Sequence, residues 1–75
     1  MTQVFLNGML RRPGKAYDYV LSGNTIKFSF KVRKGDFLDV VEHRLFLGPK
    51  RRSAILDRDY ASFSEIKYET VLSSA

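Results

Sequence analysis

At 75 residues, with no cysteine and one histidine, the chain has room for a single domain and no disulfide or thiolate metal site to staple it. Its 44% hydrophobic and 28% charged content is that of a folded protein, and the net charge is +5. No run approaches the roughly 18 apolar residues that span a bilayer, and Met1-Thr2-Gln3-Val4-Phe5-Leu6 lacks the basic start and long apolar stretch of a signal peptide, so cytoplasmic folding and no membrane partner are expected.

Gln3-Val4-Phe5-Leu6 is a short β-prone run stopped by Asn7-Gly8, the strongest two-residue hairpin signal. Met9 and Leu10 follow, then Arg11-Arg12-Pro13-Gly14, whose Pro-Gly pair suits the centre of a type II turn. Tyr17 to Leu21 reads as a strand with Tyr17, Tyr19 and Leu21 on one face. Ser22-Gly23-Asn24 turns the chain into Thr25-Ile26-Lys27-Phe28-Ser29-Phe30, where Ile26, Phe28 and Phe30 alternate with polar residues. That period of two marks a half-buried strand, and a hairpin from Tyr17 to Phe30 follows.

Lys31 to Asp36 is a polar turn. Phe37 to Val41 is a further strand that is expected to continue through Glu42 and His43 into Arg44-Leu45-Phe46-Leu47, where Gly48-Pro49 breaks it. Ser53 to Asp59 fits a loop, a strand or a helical turn. From Tyr60 to Leu72 the alternation of Ile66, Tyr68 and Thr70 with Glu65, Lys67 and Glu69 favours a strand, although Phe63, Ile66, Lys67 and Thr70 also share a helical stripe. Ser73-Ser74-Ala75 should fray. The pattern predicts an all-β fold, a small antiparallel β-sandwich or barrel of five to six short strands with an extended C-terminal segment. Residues 1–47 form the β-module, and 48–75 a C-terminal strand or arm of the same domain.

No catalytic, cofactor-binding or metal constellation is legible. His43 is the only base of its kind and has no nucleophile beside it in sequence. Asp57 and Asp59, and Asp36 and Asp39, lack the further oxygen ligands of a calcium loop and read as turn formers or partners for nearby bases. The glycines fall singly at turns and never cluster to cradle phosphate. The aromatics interleave with bases, as on a single-strand-binding sheet, but the uncharged face of Ile26, Phe28 and Phe30 is what a core requires.

Charge is unevenly spread. Between Arg11 and Lys34 seven bases face one acid, Asp18, whereas from Gly35 onward six bases meet seven acids. Such an excess favours an acidic partner surface, protein or nucleic acid, or simply a solvated face. The candidate contacts are Arg11, Arg12, Lys15, Lys31, Arg33, Lys34, Lys50, Arg51 and Arg52. A core this small covers only about 60% of its unfolded surface, so an oligomer or a docking partner is expected to add stability.

The run Val4-Phe5-Leu6-Asn7-Gly8-Met9-Leu10-Arg11-Arg12-Pro13-Gly14, then Tyr17-Asp18-Tyr19, Ser22-Gly23-Asn24-Thr25-Ile26-Lys27-Phe28 and Gly35-Asp36, resembles a recurring β-module of tailed-bacteriophage virion proteins. The likeness covers residues 4–41; the bases Arg11, Arg12, Lys31, Arg33 and Lys34 lie outside its shared pattern, and residues after Arg44 match nothing in it. It implies a non-enzymatic structural protein of the virion, as capsid decoration (cement), neck or tail accessory. Its partners would be other virion proteins, such as the major capsid, portal, neck or tail protein, and further copies of itself. The alternatives are a small nucleic-acid-binding barrel and a phage protein that binds a host protein.

Overall fold

The computed structural model describes residues 1–67. These contain seven strands and no helix: β1 (Thr2–Leu6), β2 (Met9–Leu10), β3 (Tyr19–Ser22), β4 (Thr25–Phe28), β5 (Phe37–Arg44), β6 (Gly48–Ile55) and β7 (Ile66–Lys67). All strand pairs are antiparallel and form two sheets, in the orders β2-β1-β5-β6 and β3-β4-β7. The all-β sandwich expected from the turn spacing is therefore the fold. The seventh strand beyond the expected five to six is the two-residue β2, too short to stand out as a strand in the sequence.

Alternation builds the core. In β1 Val4 and Leu6, in β5 Leu38 and Val40, and in β4 Ile26 and Phe28 point inward and are buried. They meet Tyr19, Val32, Leu56 and Ile66 in one cluster that joins both sheets, with Leu21, Phe30, Ala54 and Tyr60 packed around it. Each large apolar side chain in such a cluster contributes about 1.5–3 kcal/mol by leaving water. Tyr19, Phe28 and Phe30 pack in sequence as tilted ring pairs, with centroids 6.1 and 5.4 Å apart.

The Asn7-Gly8 hairpin forms as its dipeptide predicts, with φ of 53° and 82° at the two positions and Leu6 opposite Met9. The loop after β2 departs from expectation. Its turn is not centred on Pro13-Gly14, and β3 begins at Tyr19 rather than Tyr17. Pro13 bridges to Tyr19, Tyr17 donates its N–H to the Gly14 carbonyl at 2.9 Å, and Asp18 accepts the Arg12 N–H at 2.9 Å. Tyr17 is thereby folded back over Gly14, whose φ is 133°; a Cβ there would lie 2.9 Å from the Tyr17 ring. The backbone bends again after Phe28, because the Ser29 hydroxyl donates to the Tyr17 carbonyl at 2.7 Å.

The second half differs most. β5 ends at Arg44, and Leu45-Phe46-Leu47 is the turn of a hairpin rather than more strand. Gly48-Pro49 does not break the chain: it opens β6, which pairs with β5 along its whole length. Proline is accepted there because β6 is an edge strand. His43, opposite Pro49, donates its N–H to the Met1 carbonyl on the β1 side, so the N–H that Pro49 lacks would have faced the open edge. Of residues 53–59, Ser53 to Ile55 complete β6, Leu56 is buried, and the rest form a loop. This loop zips onto the turn at 31–36, with Tyr60 and Val32 exchanging backbone bonds at 2.8 and 3.1 Å. Among the described residues from Tyr60 to Lys67, only Ile66–Lys67 is strand, on the edge of β4; Phe63, with φ of 63°, turns the chain before it. Residues 68–72 of the expected strand and the tail 73–75 lie outside the described residues.

Candidate docking surface

The β5–β6 hairpin carries the most unusual surface. Nine consecutive residues, His43 to Arg51, are exposed, so its distal half stands off the core. At the apex Leu45, Phe46 and Leu47 are 80, 95 and 70% exposed. The turn is braced from below: Arg44 donates from Nε to the Gly48 carbonyl at 3.3 Å and from Nη2 to the Leu47 carbonyl at 3.5 Å. Behind the apex stand Arg44, Lys50, Arg51 and Arg52. Register places Glu42, Arg44, Lys50 and Arg52 on the inward side of the sheet, and His43, Pro49 and Arg51 on the outward side.

The outward face of the four-stranded sheet is the second feature. Cross-strand pairs put Leu10 beside Phe5, Phe5 beside Asp39, Asp39 beside Ser53, and Phe37 beside Ile55 on this face. Leu10, Phe37 and Ile55 are exposed, and no element among the described residues covers them. Among them Asp39 is only 8% exposed. Its carboxylate accepts the Ser53 hydroxyl at 2.7 Å and lies 3.6 Å from Arg51 Nε. A charge held by an alcohol and a guanidinium within an apolar face gives that face a polar centre without orphaning the carboxylate.

The nine bases singled out in the sequence do not form one patch. Arg11 and Arg12 follow β2 at one edge of the sheet and lie over Phe30 and Tyr17, with guanidinium carbons 5.1 and 4.2 Å from the ring centroids. Lys15 is exposed in the same loop. Lys50, Arg51 and Arg52 lie on β6 at the opposite edge, three strand spacings or about 14 Å away. Lys31, Arg33 and Lys34 occupy the turn before β5, a strand length of about 24 Å from the hairpin apex. In that turn Asp36 accepts the Arg33 N–H and Asp59 the Lys34 N–H, at 2.9 and 2.8 Å, as acids that shape a turn do. The structure thus joins Lys50, Arg51 and Arg52 to Arg44, a residue that composition alone did not single out.

His43 Nε2 lies 2.6 Å from Gln3 Oε1, on the outward face beside the chain start. Among the described residues no three of His, Cys, Asp or Glu gather as a metal site. A shallow cleft of about 120 Å³ at the start of β1, with Leu10, Arg11, Pro13 and Tyr19 in its lining, contains no carboxylate or imidazole. Sequence reading missed the apex, taking Leu45-Phe46-Leu47 as strand. The available signal was three apolar residues enclosed by Arg44 and Gly48, with bases resuming at Lys50. Compared with family models, curated proteins and solved structures, the chain matches none.

Proposed function

We propose that this chain is a non-enzymatic building block of a tailed-phage particle that docks through the outward face of its four-stranded sheet. The observation that carries the docking reading is the uncovered face itself, where Leu10, Phe37 and Ile55 remain exposed around Asp39. A 75-residue sandwich without disulfides gains most from a neighbour that covers such a face. The phage assignment rests on the resemblance over residues 4–41, the segment running from β1 into β5. The neighbour is a second copy or another virion protein, such as the major capsid, portal, neck or tail protein.

Mass spectrometry of purified particles, with native mass of the isolated protein, tests this. The expected result is the chain in the particle and a mass above the monomer, or a monomer that binds assembled particles. A monomer absent from purified particles overturns it. The dispersed bases disfavour a nucleic-acid groove, and a gel shift with DNA and RNA at about 50 mM salt, where electrostatic binding is strong, checks that directly.

A further inference from the structure

The outward sheet face does not include the hairpin apex, which calls for a different partner. We infer that the Leu45-Phe46-Leu47 apex and its basic collar form a contact site for an anionic lipid surface. Three large apolar side chains held almost wholly in water at the end of a projecting hairpin are a liability in a free protein, unless something apolar receives them. The apex is held in shape: Phe46 and Gly48 have φ of 67° and 75°, and Arg44 ties the Leu47 and Gly48 carbonyls. Little ordering is therefore left to be done on contact.

Charge decides between a bilayer and an acidic protein pocket. Arg44 and Lys50, on one side of the hairpin, stand nearest the apex, and Arg52 on that side and Arg51 on the other follow lower on the stem. Arg51 also lies 3.6 Å from Asp39. One acid, Glu42, lies opposite Lys50 and nearer the apex than Arg51 and Arg52, so from Glu42 to Arg52 four cations meet one carboxylate. A protein rim must match such a collar residue by residue, whereas an anionic headgroup layer presents negative charge in every direction around an inserted tip. Dimensions agree as well. The turn reaches about 5–7 Å beyond the Arg44–Gly48 pair, within the roughly 5–10 Å that interfacial segments bury. A three-residue tip that enters only the interface needs no spanning segment of about 18 apolar residues.

The chain contains no tryptophan, so Phe46→Trp supplies a sole reporter at the tip. With vesicles of phosphatidylcholine and phosphatidylglycerol at low salt, its emission should shift to the blue and be quenched by brominated acyl chains. Pure phosphatidylcholine should give a much weaker response. In the otherwise unaltered chain, Phe46→Ser should lower vesicle co-sedimentation about ten- to hundredfold. Lys50→Gln should lower it about fivefold, and added salt should weaken binding throughout. Ile55→Trp places the same reporter on the outward sheet face and should not respond to vesicles.

No co-sedimentation with anionic vesicles overturns the inference. So does binding that survives Phe46→Ser, or a vesicle response from Ile55→Trp in place of Phe46→Trp. A Phe46→Trp response to purified particle protein but not to vesicles also overturns it, by placing the apex in a protein pocket. Absence of the chain from purified particles bears on the virion reading alone and leaves the lipid contact standing.

Discussion

Asn7→Ala probes how the first hairpin is tied to the central strand. Asn7 sits at φ 53°, its Oδ1 accepts the Phe37 N–H at 2.9 Å, and its Nδ2 donates to Asp36 Oδ1 at 3.2 Å. An alanine in the left-handed region costs about 1–2 kcal/mol, because it has no side-chain bonding to offset the steric strain. Two hydrogen bonds at the surface contribute about 0.5–1 kcal/mol each, toward the low end of the usual range. The expected loss is therefore about 2–4 kcal/mol. A chain of 75 residues is stabilised by about 4–11 kcal/mol in total, so this is a large fraction of what holds it folded. Asn7→Gly removes the steric strain but not the loss of bonds, and it adds unfolded-state entropy; it should recover about 0.5–1 kcal/mol relative to alanine. Urea unfolding followed by circular dichroism and tyrosine fluorescence measures both variants, with the m-value unchanged if only stability has moved. In a thermal scan the alanine variant should melt about 8–32 °C lower, at about 4–8 °C per kcal/mol. An alanine variant within about 0.5 kcal/mol of the parent, or a glycine variant less stable than alanine, refutes this account of the turn.

Leu38→Ala should cost about 2–5 kcal/mol in the same urea assay, since Leu38 lies at the centre of the core, whereas Phe46→Ser should stay within about 0.5 kcal/mol. Equal losses would mean that the apex is packed after all. Gly14→Ala should lose about 1–3 kcal/mol from its φ of 133° and the 2.9 Å approach to the Tyr17 ring, and Tyr17→Ala in the same chain should relieve only the contact. Burial, and then the charge of Asp18, raise the Tyr19 phenol above its usual 10.0. The unfolded chain ionises first, so the Tyr19 contribution is complete below about pH 10 and is lost as pH rises through the folded value. Alkaline unfolding curves should therefore flatten in Tyr19→Phe, and an unchanged slope would show that another group controls that limb.

Local chemistry alone settled a good part of this protein. Asn7-Gly8 and Ser22-Gly23-Asn24 fold as their turn residues dictate, and the alternation of Thr25-Ile26-Lys27-Phe28 places Ile26 and Phe28 in the core, because both effects act over two to four residues. Tertiary contacts decided the rest. Gly48-Pro49 reads as a stop, yet it starts a strand, because on a sheet edge the missing N–H of Pro49 costs no ladder bond. Phe37 to Leu47 reads as one continuous strand. Only the pairing of Arg44 with Gly48 turns its last three apolar residues into an exposed apex and brings Lys50, Arg51 and Arg52 back beside Arg44. Tyr17 has the periodicity of its strand neighbours, but the hydrogen bond from its backbone N–H to the Gly14 carbonyl holds it outside the ladder. The nine bases look like a single charge excess along the chain, and strand order divides them among three regions of the surface. Turn type and face are properties of neighbouring residues; which apolar residues remain uncovered depends on which strands lie beside them, and that is decided only when the sheets assemble.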